Sequence, residues 1–279
     1  MILAASLGAA SAEVTLSGSA RMGVIDDFGA DNTGFTSRAR VVFTMSGETD
    51  AGLSFGASFR ADNAGDANSG EAGSVFLSGG FGKLSMGDVD GAANAAVGHV
   101  DGVGLTGLDD LNEMTYFANG GDFSTSDPSA LYEYSVSSLT LYLSSTNPSG
   151  ADTATAVGAK YAINDMFTVS AGYEDYQVGG GDVDTQYVLG ADATIGPVVV
   201  KARYSDSNFD TQQTALSATY TMDALSVTGF YMDNTQDGYE AYGVGASYDL
   251  GGGAKVVGGY VSDETFDVDA VDLGVSFSF

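Results

Sequence analysis

The sequence contains no cysteine and no tryptophan, and its 279 residues include only 3 prolines, 1 histidine and 9 lysines and arginines. Without cysteine there are no disulfides and no thiolate metal sites, a composition that fits export through an oxidising compartment. So few cations against 37 acidic residues leave a formal charge of −28, which excludes a nucleic-acid binder because nothing could neutralise phosphates. Scarce proline leaves hydrogen-bond ladders unbroken. No run of about 18 apolar residues occurs, which excludes a helical membrane span. A membrane barrel stays open, because only alternate residues of its strands meet lipid and the polar half cancels the mean hydropathy, here +0.05. The single histidine, His99, has no serine or cysteine signature beside it, so it reads as a polar loop residue and the chain as a non-enzyme.

What is present is a repeated alternation. At the N-terminus, residues 1–12 resemble the end of a secretory signal, an apolar stretch leading to Ala10-Ser11-Ala12 without a basic start. They are expected to be a signal-peptide remnant, with a chance alanine-rich lead-in as the alternative. From Glu13 to Phe279 segments of about ten residues alternate apolar and polar between Gly, Asp and Asn clusters, with no domain linker. In the last segment Val271, Leu273, Val275, Phe277 and Phe279 share one face, and Asp272, Gly274, Ser276 and Ser278 the other. Period-two order places the first set against lipid and the second against water. About sixteen strands are expected, near 13–26, 34–47, 51–61, 72–80, 81–89, 129–137, 138–146, 154–163, 165–176, 183–195, 197–206, 212–221, 223–233, 240–250, 252–262 and 268–279. Fifteen Tyr and fifteen Phe stand in for tryptophan at the membrane interfaces.

The connections alternate strictly between short, such as Asn164-Asp165 and Gly196-Pro197, and long, such as 62–71 and 90–128. That is the expected difference between the periplasmic and extracellular rims of an all-β, closed antiparallel transmembrane barrel, and a soluble sandwich gives no reason for it. An acidic β-rich surface adhesin or solenoid would need an internal repeat of fixed period, and none occurs.

Strand parity also says where the cations point. Arg21, Arg38, Arg40 and Arg60 fall on the inward face, and so do Lys83, Lys160, Lys201 and Arg203; Lys255, beside a turn, is less determined. A cation facing mid-bilayer lipid costs about 2–4 kcal/mol, so sorting inward is what the physics requires. The four arginines lie at similar distance from the short-turn rim on three neighbouring strands, a basic patch on one wall. Like charges so close need acidic company. Segment 90–128 is far longer than ordinary loops and mixes Asp101, Asp109, Asp110 and Glu113 with Val103, Leu105, Leu108 and Leu111. These aliphatics point to a loop folded into the lumen, with its carboxylates facing the arginines across a constriction; the alternative is a flexible external loop. Opposed charges there would order water and orient dipolar solutes. Asp109-Asp110, Asp182-Val183-Asp184 and Asp267-Val268-Asp269 are weak Ca²⁺ candidates, otherwise solvated acidic loops that could share divalent ions with lipopolysaccharide.

Several runs carry a family resemblance. EVTLSGSARMG (13–23) and SRARVVFTMSG (37–47) resemble the first two strands of alphaproteobacterial, purple-bacterium-type general diffusion porins. FLSGGFGK (76–83), Met86-Gly87-Asp88, Leu108-Asp109-Asp110, GASYDLGGGA (245–254) and the terminal Phe279 are similar to that family as well. The resemblance implies a trimeric sixteen-stranded barrel whose third external loop folds inward, with Arg21, Arg38 and Arg40 as constriction arginines, Arg60 where a cation is usual, and Phe279 as the assembly signal. Shorter external loops and few loop charges beyond Glu113 depart from the family pattern and imply a wider or less acidic constriction. Together these readings lead to an expected outer-membrane channel for passive diffusion of ions and small hydrophilic solutes, with a substrate-specific channel as the alternative.

Overall fold

A computed structural model describes residues 12–28, 33–119, 128–150, 152–208, 211–235 and 238–279. The proposed signal remnant, apart from Ala12, lies outside the described residues. Sixteen strands form: β1 Glu13–Asp26, β2 Gly34–Glu48, β3 Ser54–Arg60, β4 Ser74–Gly79, β5 Gly82–Gly87, β6 Ser129–Val136, β7 Leu139–Ser145 and β8 Thr153–Ala162. They continue as β9 Phe167–Gln177, β10 Val183–Ile195, β11 Val198–Ser207, β12 Gln212–Met222, β13 Leu225–Asn234, β14 Tyr239–Gly251, β15 Ala254–Asp263 and β16 Val268–Ser278. Each pairs antiparallel with its sequence neighbours, and β1 pairs with β16 to close the barrel. Closure leaves no edge strand and pairs the backbone polar groups, which hydrocarbon demands because it cannot hydrogen-bond them.

The period-two rows take the two environments expected of them. Val14, Leu16 and Met22 on β1, and Val271 and Leu273 on β16, are exposed on the outer wall. The seam ends at the short-turn rim, where the Phe279 N–H donates to the Gly18 carbonyl at 2.9 Å and the Gly18 N–H donates back at 3.2 Å. The Phe279 ring stands exposed on the same outward row.

Strands β4 and β5 are shorter than the sequence pattern predicts, six residues each. Gly73 at φ +69 opens the turn into β4 and Gly87 at φ +124 ends β5, conformations that glycine adopts freely. At about 3.3 Å per residue, six residues rise only about 20 Å even before tilt. The wall from β3 to β7 is therefore low. A short helix, α1 (Ala64–Ser69), follows β3 in the second long loop.

The buried core does not lie between sheets. It lies between the inner wall and the long third loop, residues 88–128, whose residues 120–127 are outside the description. This loop carries a second short helix, α2 (Ala92–Val97). Its Ala92, Ala96, Val97, Val100, Leu108 and Phe117 pack in one cluster with inward-facing Ala154, Val188, Phe230, Met232, Val261 and Ala270. The inner face is thus apolar where the loop covers it and polar where water reaches it, a distinction that simple alternation does not make.

Candidate channel constriction

All nine lysines and arginines occupy inward positions, including Lys255, which registers opposite Ser276 and Asp249 near the short-turn rim. Strand pairing puts the four arginines on three neighbouring strands. Arg21 on β1 sits directly opposite Arg38 on β2, Arg40 follows two residues on opposite Ser19, and Arg60 on β3 registers opposite Val42. Arg21 donates from Nη1 to the carbonyls of Leu105 and Thr106 at 3.3 and 3.1 Å, which ties the arginine wall to the loop tip. Arg40 and Arg60 share one carboxylate, Asp62, at 3.9 and 3.4 Å. Asp62 lies in the turn that follows β3, where no strand parity marks it. Arg38 is exposed, and its guanidinium makes no hydrogen bond or ion pair with any described residue.

The loop reaches this wall by crossing the lumen face of most of the barrel. It starts at β7, where Ser144 Oγ accepts the Ala92 N–H at 2.8 Å. It then crosses β11, where the Arg203 Nε donates to the Gly98 carbonyl at 3.2 Å. At β16 both oxygens of Asp272 accept from the tip: the N–H groups of Leu105 and Thr106 at 2.9 and 2.7 Å and the Thr106 hydroxyl at 2.8 Å. On the return leg Gln213 Oε1 accepts the Thr115 N–H at 2.7 Å, and Glu174 accepts the N–H of Phe117 at 2.6 Å and that of Ala118 at 3.4 Å. Asp272 and Glu174 are almost wholly buried. A buried carboxylate is tolerable only when hydrogen-bonded in this way. Parity places both inward, yet an inward carboxylate looks like a wetted one until the loop's path is known.

Glycines let the loop lie flush on the wall. A Cβ on Gly172 (β9) would stand 2.6 Å from the Cβ of Ala93, and one on Gly245 (β14) 2.8 Å from the Cβ of Val103. A Cβ on Gly259 (β15) would stand 2.5 Å from the Gly104 nitrogen, and one on Gly23 (β1) 2.6 Å from Leu105 Cδ2. At these four points the wall presents no side chain to the loop.

The predicted loop carboxylates separate into two kinds. Asp101 does not face the arginines. It turns to the β11–β12 wall, pairs with Lys201 at 2.5 Å and accepts the Thr219 hydroxyl at 3.2 Å. The reason is the loop's path, which brings residue 101 against a wall that already carries a cation. Asp109, Asp110 and Glu113 are exposed. The Asp109 carboxyl is held above its ordinary range by partial burial and by the neighbouring charges of Asp27 and Asp110. Glu113 approaches His99 Nε2 at 4.0 Å. His99 itself is a fastener: its Nδ1 accepts the Met114 N–H at 2.9 Å, and its ring meets Tyr116 edge-on. Burial and the Arg203 charge lower its pKa, with Asp110 opposing.

Among the other cations, Arg203 is not available to the lumen water as expected. The loop covers it, leaving its side chain 4% exposed, and it binds Asp192 at 2.7 Å. Lys83 lies over the Phe76 ring at 5.2 Å and opposite Glu133. Lys160 sits on β8 opposite Thr140 and Ser170. For the Ca²⁺ candidates, no group of three or more His, Asp or Glu side chains suited to a metal forms among the described residues. Asp109 and Asp110 lie in the loop, Asp182 and Asp184 flank the start of β10, and Asp269 accepts the Tyr260 hydroxyl at 2.8 Å.

This architecture has close relatives. The family model described as "Gram-negative porin" matches residues 1–267. A porin of Rhodobacter capsulatus is 40% identical over 96% of this chain and all of the relative, and a porin of Fuscovulum blasticum is 29% identical with the same coverage. Among solved structures, a porin refined at 1.8 Å superposes with a TM-score of 0.87 at 37% identity, covering 96% of this chain and 100% of the other. An engineered variant of the Rh. blastica porin superposes with a TM-score of 0.74 at 25% identity and the same coverage. Closed sixteen-stranded wall, long loop folded into the lumen and end-to-end similarity agree, and the chain belongs to the Gram-negative porin family as a channel of the bacterial outer membrane.

Proposed function

We propose that this porin is a general diffusion channel whose constriction is charged on two sides. One side is the wall of Arg21, Arg38, Arg40 and Arg60. The other is the exposed loop carboxylates Asp109, Asp110 and Glu113, without Asp101. The observation that carries this reading is the bond from Arg21 to the carbonyls of Leu105 and Thr106, since it sets the carboxylate-bearing loop tip beside the arginine wall. A solute there crosses a transverse field that favours hydrated, dipolar molecules over apolar ones. The acidic outer loops give the mouth a modest preference for cations. Passage needs no covalent chemistry, and the one histidine is engaged in holding the loop.

The working unit in this reading is a homotrimer. The wall from β3 to β7 is too low for an apolar band about 25 Å tall, yet its outer face carries exposed Val75, Leu77 and Met86, and its Phe59 stacks on Phe43 of the adjoining β2 at 5.1 Å. Neighbouring copies covering that wall would remove the mismatch with lipid. Liposome swelling tests the diffusion reading. Rates that fall smoothly with the size of neutral sugars, without saturation, are expected; saturable uptake of one solute would replace it with a substrate-specific channel.

A further inference from the structure

We propose that Arg38, Arg40 and Arg60 form a low-affinity station for oxyanions, taking solutes that carry a phosphate or carboxylate group. The inference rests on the two-sided constriction above and names the solute class that its basic side holds. It starts from a charge imbalance at contact range. Four guanidinium groups converge on β1–β3, and among the described residues the one carboxylate in ion-pair contact with them is Asp62. Of the predicted counter-charges on the loop, Asp101 is spent on Lys201 on another wall, and Asp109 lies under the influence of Asp27 and Asp110.

The hydrogen-bond inventory points the same way. The Nε groups of Arg21, Arg40 and Arg60 are shielded from water and make no hydrogen bond to a described residue, those of Arg40 and Arg60 meeting Asp62 only at ion-pair range. Arg38 is exposed and has no described partner. A shielded donor without an acceptor is costly, and guanidinium donors match the paired oxygens of carboxylate and phosphate in a planar fork. An oxyanion passing the constriction would supply acceptors to the exposed Arg38 guanidinium and to the partly exposed side chains of Arg40 and Arg60. Because Arg40 and Arg60 are partly exposed, with side-chain exposures of 32% and 41%, binding is weak enough for release, as conduction requires.

The test is single-channel recording of the refolded full chain in KCl, with inorganic phosphate or a small dicarboxylate such as succinate added at constant ionic strength. The expected result is a saturable reduction of current by both. Arg38→Gln and Arg60→Gln should each raise the half-blocking concentration about tenfold, in line with loss of one charge-assisted hydrogen bond, while Lys160→Gln on the far wall leaves it unchanged. Persisting KCl current in each variant shows that it is folded. Block by phosphate alone would narrow the class to phosphates. Absence of saturation for both anions, or equal loss in Lys160→Gln, overturns the station and leaves the porin reading standing. A chain that conducts no KCl at all would strike that reading first.

Discussion

Replacing Gly259 by alanine adds one carbon where the loop crosses β15, and the consequence can be worked out from the geometry. The new Cβ would lie 2.5 Å from the Gly104 nitrogen and 2.6 Å from its Cα, whereas ordinary contact begins at 3.4 Å. The obstacle is backbone, so no side chain can swing away, and the loop must lift by 3.4 − 2.5 = 0.9 Å. Overpacking of this kind costs about 1–3 kcal/mol. The next two residues are those whose N–H groups Asp272 holds at 2.9 and 2.7 Å, and a lift of that size strains bonds whose useful range ends at about 3.2 Å. The lifted tip moves into the bore. Single-channel conductance should fall, and the largest polyethylene glycol able to enter, read from its effect on conductance, should become smaller. Gly229→Ala is the matched control, since its Cβ would meet nothing closer than 3.6 Å. If Gly259→Ala conducts like the wild type with the same polymer cutoff, the loop does not rest on this glycine.

Three further outcomes follow from the same contacts. Asp272→Asn keeps the size but offers N–H groups to N–H groups, and should lower thermal stability by about 2–3 kcal/mol and raise open-channel noise, read by thermal melting in detergent and by bilayer recording. Replacing Arg38 and Arg40 together by glutamine should shift the reversal potential in a salt gradient toward greater cation preference; an unchanged potential removes the charged constriction. His99 has a pKa lowered by burial, so the folded chain holds the neutral ring more strongly than the unfolded one does. Its contribution is therefore complete above the unfolded value of about 6.5 and is lost as pH falls through the lower folded value, because protonated Nδ1 cannot accept the Met114 N–H. Acid-induced noise that appears as pH falls below the ordinary imidazole range and is absent in His99→Gln is the expected signature.

Period two is why so much of the wall could be read from the sequence. Residues such as Leu273 and Asp272 alternate between oil and water whatever else the chain does, so strand number, closure and the inward set of cations follow from local order. Strand length at β4 and β5 did not, because Gly73 and Gly87 end those ladders by backbone conformation rather than by a change of pattern. The basic wall was legible because Arg21 and Arg38 are cross-strand neighbours once the hairpin is drawn. The acidic side was legible only in part. Which cation Asp101 meets depends on where a loop of some forty residues (88–128) lies, and that is decided by distant partners on β9, β11, β12 and β16. Glu174 and Asp272 show the same limit: alternation says that they face inward, and only the loop above them turns inward into buried.

Diffusion through this barrel requires a water-filled bore left beside a fixed loop. Conductance steps of the purified chain in planar bilayers, followed from low to high KCl and across both polarities, measure that bore. The expected record is discrete openings whose current grows in proportion to voltage and to salt concentration. Current that saturates at low KCl, or a membrane that stays silent, would contradict it.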